Sequence, residues 1–123
     1  MLPEKIIKIL KDHGISKIVD MEEEPYYWHN KANMPLDDFI DNCYIIGCSE
    51  IIIGFYKNEE LRTASIFHEI GHTRLKYEKC IETYDREDYA WDIGFSLAKK
   101  YGYKFSQDTY EWAYNKLETY KQG

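Results

Sequence analysis

The chain has 123 residues, enough for one domain that buries most of its apolar surface without disulfides. Its formal charge of −6 provides no basic surface for a phosphate backbone, so we expect no direct contact with nucleic acid. The composition therefore predicts a single soluble domain over residues 1–123.

The N-terminus and the cysteines indicate the compartment. The first residues contain no long apolar run, so the sequence predicts neither a secretory signal nor a membrane span. Cys43, Cys48 and Cys80 are odd in number and none belongs to a CxxC or CxxH motif, which favours buried thiols under reducing conditions. We expect a cytoplasmic protein.

The chain begins with a predicted helix. Apolar residues recur at helical spacing over residues 3–13, and Gly14 stands where a helix would end. The β-branched residues of 15–20 predict an edge strand. Residues 25–35 combine three adjacent aromatic residues with His29. This segment either covers the edge of the core or borders a substrate cleft.

Two further β-rich runs predict a hairpin. They cover residues 42–46 and 51–56, and the four residues between them form its loop. The second run is almost wholly apolar, so we expect it inside the sheet, packed beneath the helix that follows. We predict a small, mostly antiparallel sheet.

Three helices are predicted in the second half of the chain. The first lies within residues 59–77 with Asn58 as its N-cap, the second covers about 85–101, and the third covers about 107–120 with Ser106 as its N-cap. The apolar stripes of the last two are Ala90, Ile93, Gly94, Leu97 and Ala98, and Tyr110, Ala113, Tyr114 and Leu117.

The first of these helices carries the pentad HExxH, from His68 to His72. Histidines four apart lie about 40° apart around a helix axis, so both imidazoles leave the same face one turn apart. That geometry suits a zinc chelate, in which Glu69 can reach the metal's water as a general base without becoming a ligand. The alternative is a partly buried histidine pair satisfied by neighbouring carboxylates.

A catalytic zinc site usually needs a third protein ligand. Spacing leaves six downstream carboxylates open: Glu78, Glu82, Asp85, Glu87, Asp88 and Asp92. A helix antiparallel to the HExxH helix can present a carboxylate from its first turns, which favours Glu87. Asp85 would more naturally cap that helix, and Asp88 and Asp92 would lie on other faces.

The stretch RTASIFHEIGH, followed by Arg86-Glu87-Asp88-Tyr89-Ala90, resembles the gluzincin pattern of HExxH plus a later ExxA. It is most similar to the ImmA/IrrE-type metallopeptidases, especially their small phage and prophage relatives. The resemblance covers about residues 51–97, and HExGH is its most specific part. Many members have Asp or Asn after the alanine of the second motif, where this chain has Trp91.

The resemblance implies an α+β, zincin-like fold, with zinc held by His68, His72 and Glu87 and water activated by Glu69. It implies a peptidase acting on a protein or peptide substrate, often a regulatory protein such as a phage repressor. Larger relatives carry a helix-turn-helix domain, which we do not expect in this chain, so any DNA recognition would come from a partner.

The function predicted from the sequence is therefore zinc-assisted hydrolysis of a peptide bond. Glu69 would take a proton from the attacking water and deliver it to the leaving amine. The alternative is a zinc-stabilised binding module, an adaptor or inhibitor of a host protein without turnover. The intact Glu69 favours the enzyme, whereas the small size of the chain favours the binding module. The same ligands would also accept Mn²⁺, Co²⁺ or Ni²⁺.

Overall fold

Four α-helices and a three-stranded sheet form the described part of the chain, which confirms the predicted α+β class. The structure is a computed structural model that describes residues 2–25, 34–47, 49–75 and 82–122. Residue contacts divide the chain into two compact units, Met1–Arg62 and Thr63–Gly123.

The first unit begins with helix α1, Glu4–Asp12. Ile6, Ile9 and Leu10 are its buried residues, and their i, i+3, i+4 spacing places them on one side of the helix. Pro3 occupies the N-cap position, where its missing N–H costs no helical hydrogen bond. The predicted opening helix is confirmed.

The sheet of the first unit is mixed. Its strands are β1, Lys17–Asp20, β2, Cys43–Ile46, and β3, Glu50–Ile53, in the order β1-β3-β2. β2 and β3 form the predicted antiparallel hairpin, whereas β1 pairs with β3 in parallel. The prediction of a mostly antiparallel sheet is therefore wrong for one of two pairings. Residues 21–49 separate β1 from β3, which is long enough for the crossover that a parallel pair needs.

The central position of β3 explains its apolar sequence. Ile51, Ile52 and Ile53 are all buried, as expected for a strand with a neighbour on each side. Ile52 belongs to a core cluster that also contains Val19 and Phe39. The prediction that this run lies inside the sheet, with residues 15–20 at an edge, is confirmed.

A buried cation stands at the end of the first unit. The side chain of Arg62 is 4% exposed and lies 3.8 Å from the carboxylate of Asp20, which is 8% exposed. Arg62 also donates to Glu59 at 2.6 Å and lies 4.0 Å from Glu22. These carboxylates compensate a charge that would otherwise be costly to bury.

Helix α2, Glu59–Thr73, carries HExxH and crosses the boundary between the units. Asn58 is its N-cap, because its Oδ1 accepts hydrogen bonds from the backbone N–H of Glu60 at 2.8 Å and of Leu61 at 3.4 Å. Glu59 and Glu60 place negative charge at the positive end of the helix. The N-cap agrees with the prediction.

The second unit continues with α3, Thr83–Lys100, and α4, Gln107–Glu118. A short 3₁₀ helix, Thr119–Gln122, follows α4, and another, Leu36–Phe39, lies in the first unit. Ser106 occupies the predicted N-cap position of α4. The expectation that Asp85 caps α3 is wrong, because the helix begins two residues before Asp85, with Glu82 at the N-cap position.

The core of the second unit contains Ala64, Trp91, Ala113 and Leu117. The stripe predicted for α4 is half wrong, since Tyr110 and Tyr114 are exposed. The buried face instead follows Thr109, Ala113 and Leu117, which are spaced four apart. A tyrosine can lie at the surface because its hydroxyl can be hydrated. Treating tyrosine as an apolar residue in a helical pattern therefore overestimates its burial.

Several predictions fall on residues 26–33, 48 and 76–81, which lie outside the described residues. They concern most of the aromatic segment with His29, the thiols of Cys48 and Cys80, and Glu78. Cys43 is buried, as predicted. Within the residues that are described, no helix is both long and apolar enough to cross a membrane.

Candidate metal centre

The histidines of α2 meet at their Nε2 atoms. His68 and His72 lie one turn apart on the same face, as their spacing requires. Their Nε2 atoms are 3.1 Å apart, and their ring centroids are 4.7 Å apart with an interplanar angle of 86°. Two ring nitrogens therefore point to one place.

Two glycines bring α3 close to this face. A Cβ at Gly71 would overlap the carbonyl oxygen of Ala90, and a Cβ at Gly94 would lie 2.6 Å from the carbonyl oxygen of Phe67. Gly71, later on α2, thus faces Ala90, earlier on α3. Phe67, earlier on α2, faces Gly94, later on α3. The helices run antiparallel, and only residues without a Cβ allow so close a crossing.

The crossing delivers Glu87 to the histidine pair. Its Oε1 lies 3.3 Å from Nε2 of His68, and its Oε2 lies 2.6 Å from Nε2 of His72. The donor atoms of the three residues all lie within 4.8 Å of one another. In the described part of the chain, this is the only group of His, Cys, Asp or Glu side chains that could hold a metal ion.

The donor separations fit a small cation. Ligands at about 2.0 to 2.1 Å from a tetrahedral zinc are about 3.3 Å apart. The separations of 3.1 and 3.3 Å that involve His68 are close to this value. His72 and Glu87, at 2.6 Å, form a hydrogen bond that metal binding would replace. Two imidazoles and a carboxylate are a donor set that suits zinc.

Burial and hydrogen bonding set the charges of the site. Burial lowers the pKa of His68 below its ordinary value of 6.5, and the hydrogen bond to Glu87 offsets only part of this effect. Burial would raise the pKa of Glu87, but hydrogen bonds from His68 and His72 outweigh it and hold that pKa well below its usual value of 4.5. Near neutral pH, His68 is therefore neutral and Glu87 is anionic, which are the forms that bind a metal.

The structure brings together the three residues expected to bind zinc. Glu69 follows His68 on α2 and is half-buried. Among the other candidates left open by spacing, Glu82, Asp85 and Asp92 are exposed and Asp88 is half-buried. None of these four described residues joins the donor cluster.

Sequence reasoning missed the contact between Trp91 and His68. The two ring centroids are 4.0 Å apart, with an interplanar angle of 33°. Trp91 lies four residues after Glu87 on α3, so both side chains leave the same face of that helix. This spacing could have identified Trp91 as a neighbour of any metal ligand at Glu87.

Comparisons with protein-family models, with curated proteins and with solved structures find no match for this chain. The functional interpretation must therefore come from the chain itself, namely from the HExxH and ExxA residues and the donor cluster that they form.

Proposed function

We propose that the chain is a zinc-dependent peptidase with a zincin-like fold, of the ImmA/IrrE type. His68, His72 and Glu87 would hold the metal, and Glu69 would act as the general base. The observation that carries this proposal is the convergence of three donor atoms within 4.8 Å on two helices, with Glu69 beside the first ligand. Its substrate would be a protein or peptide, such as a regulatory protein of the cytoplasm.

The residues divide the chemistry among them. A bound zinc ion would be a Lewis acid, able to polarise a carbonyl oxygen and to lower the pKa of water. Glu69 accepts the proton of the attacking water and later donates it to the leaving amine. Burial keeps His68 neutral, so that Nε2 would offer a lone pair to the metal once the ring proton is on Nδ1, while Glu87 keeps the negative charge that balances a divalent cation.

A zinc-stabilised binding module is the second candidate. The side chains of His68, His72 and Glu87 are only 9, 17 and 12% exposed. Such low exposure suits a closed structural site, whereas a catalytic site keeps one position open for water or substrate. A structural site has no use for a base, so Glu69 distinguishes the two candidates.

The metal ligands are tested first. Elemental analysis of the purified protein should give about one zinc per chain. His72→Ala and Glu87→Ala should each weaken zinc binding by at least roughly 100-fold, because loss of an outer partner alone typically costs 10- to 100-fold. Glu82→Ala is the matched control, since Glu82 is an exposed acid next to α3 and should leave affinity unchanged. Full zinc occupancy in the two ligand variants would reject this site.

Glu69→Gln then separates an enzyme from a binding module. The variant should keep its fold and its zinc, because Glu69 is not a ligand, while hydrolysis should fall by about 10²- to 10⁴-fold. It should also retain its substrate uncut during purification, where the wild type yields fragments. If Glu69→Gln and the wild type have the same effects in cells, hydrolysis is not the function and the binding module is favoured.

A further inference from the structure

Nδ1 of His68 makes no hydrogen bond to the described residues, although histidine ligands usually make one there. A histidine that binds metal through Nε2 carries its proton on Nδ1, and that N–H normally donates to a carboxylate, a carbonyl or water. Nδ1 of His68 is buried and has no hydrogen-bond partner among the described residues. The hydroxyl of Ser65, one turn earlier on α2, is likewise buried without a partner in the described chain. No hydrogen bond from a described residue to Nδ1 therefore orients this ring.

An aromatic face contacts the ring instead. The indole of Trp91 lies with its centroid 4.0 Å from that of His68, at an interplanar angle of 33°. This is a tilted contact between closely spaced rings, and it opposes rotation of the imidazole about its Cβ–Cγ bond. Trp91 is 6% exposed and belongs to the core cluster of the second unit.

Trp91 is itself held on two sides. Phe95 stacks on it with centroids 5.3 Å apart at 23°, and Trp112 meets it edge to face with centroids 6.1 Å apart at 87°. A side chain packed in this way loses little further freedom when it supports another ring. The indole can therefore act as a rigid support for the imidazole.

We propose that Trp91 is the positioning residue that orients the imidazole of His68 toward His72 and Glu87, by contact between the two rings in place of a hydrogen bond to Nδ1. This role rests on the proposed metal function, because orientation matters when Nε2 must meet an ion together with two other donors. Its indole is a hydrogen-bond donor only, so Trp91 would serve neither as a metal ligand nor in proton transfer.

The test compares two tryptophans of the same core, both in the full-length protein. Trp91→Leu removes the aromatic face from His68, whereas Trp112→Leu removes an aromatic neighbour of Trp91 and leaves that face in place. Zinc affinity is measured by competition with a chelator, and ligand geometry by the visible absorption of bound Co²⁺. Trp91→Leu should weaken zinc by about 10- to 100-fold and change the Co²⁺ spectrum. Trp112→Leu should lower the melting temperature only.

Conservative variants keep the comparison decisive if a leucine is not tolerated. Trp91→Phe retains a smaller ring face and should lose less affinity than Trp91→Leu, but more than Trp112→Phe. Ser65→Ala should have no effect on zinc or Co²⁺. Equal losses for the Trp91 and Trp112 variants would overturn the proposal in favour of general core packing. A loss in Ser65→Ala that matches Trp91→Leu would overturn it in favour of the hydroxyl.

A measurement on the metal-free protein separates this proposal from the metal site itself. The ring ¹H and ¹⁵N resonances of His68 should show one ordered imidazole in the wild type and a rotationally averaged one in Trp91→Leu. If the wild type binds neither zinc nor Co²⁺, the proposed metal function fails, while these resonances still report whether Trp91 orients the ring. Identical His68 resonances in both proteins would refute the positioning role.

Discussion

Replacing Gly94 with alanine would test whether the close crossing of α2 and α3 builds the metal centre. The new Cβ would lie 2.6 Å from the carbonyl oxygen of Phe67, whereas ordinary contacts begin at 3.4 Å. The helices must therefore separate locally by about 0.8 Å, which is 3.4 minus 2.6. The obstacle is backbone on a neighbouring helix, so a rotamer change cannot relieve it.

The two energetic effects of this substitution have opposite signs. Alanine is favoured over glycine inside a helix by about 1 kcal/mol. Overpacking a tight interface typically costs about 1 to 3 kcal/mol. Taking about 2 kcal/mol for the cost, we expect a net destabilisation of about 1 kcal/mol. Because ligand distances tolerate only about 0.2 Å, zinc affinity should fall by about tenfold or more.

The assay combines urea unfolding of the metal-free protein with a zinc competition titration. Ser96→Ala is the control, because Ser96 is an exposed small residue on the same helix. The control should be as stable as the wild type or slightly more stable, with unchanged zinc affinity. If Gly94→Ala were more stable than the wild type and bound zinc as tightly, the crossing would not determine the donor geometry.

Two further predictions concern charge. Arg62→Met should lower the free energy of unfolding by about 3 kcal/mol, because it leaves the buried Asp20 carboxylate without its cation. Glu59→Gln, whose side chain is 74% exposed, should cost less than about 1 kcal/mol in the same urea titration, and similar costs for both variants would contradict a buried ion pair. The metal-free protein should also lose stability as the pH falls below 6.5, because the lowered pKa of His68 lets the unfolded chain bind a proton first. Glu87 should add a second loss below pH 4.5 for the same reason, and a melting temperature that does not fall between about pH 7 and pH 5 would contradict the lowered pKa of His68.

The helices were predictable because their signals are local. Asn58 accepts hydrogen bonds two and three residues ahead, so the start of α2 depends on neighbours in sequence. The parallel pairing of β1 with β3 was not predictable in this way. It joins residues far apart in sequence, such as Val19 and Ile52. The residue pattern of a strand does not indicate whether its partner runs parallel or antiparallel.

The same distinction applies to the metal centre. The geometry of His68 and His72 follows from one helix, so the pentad alone predicts that the two rings converge. The position of Glu87 depends on how α2 and α3 cross. The positions of the residues around Glu87 depend on the same crossing. Trp91 could be noticed only after Glu87 was placed, because its distance to His68 is a property of the interface.

The small residues at the helix crossing, rather than the charges, determine which carboxylate reaches the histidines. Gly71 on α2 faces Ala90 on α3, and Phe67 faces Gly94, so these small residues fix the register of an antiparallel crossing. Helical side chains lean toward the N-terminus, so a carboxylate that reaches the histidines must lie about one turn before Ala90. Glu87 satisfies this condition, while Asp92 lies beyond Ala90 and is exposed. Once this register is known from the structure, sequence position distinguishes Glu87 from Asp92.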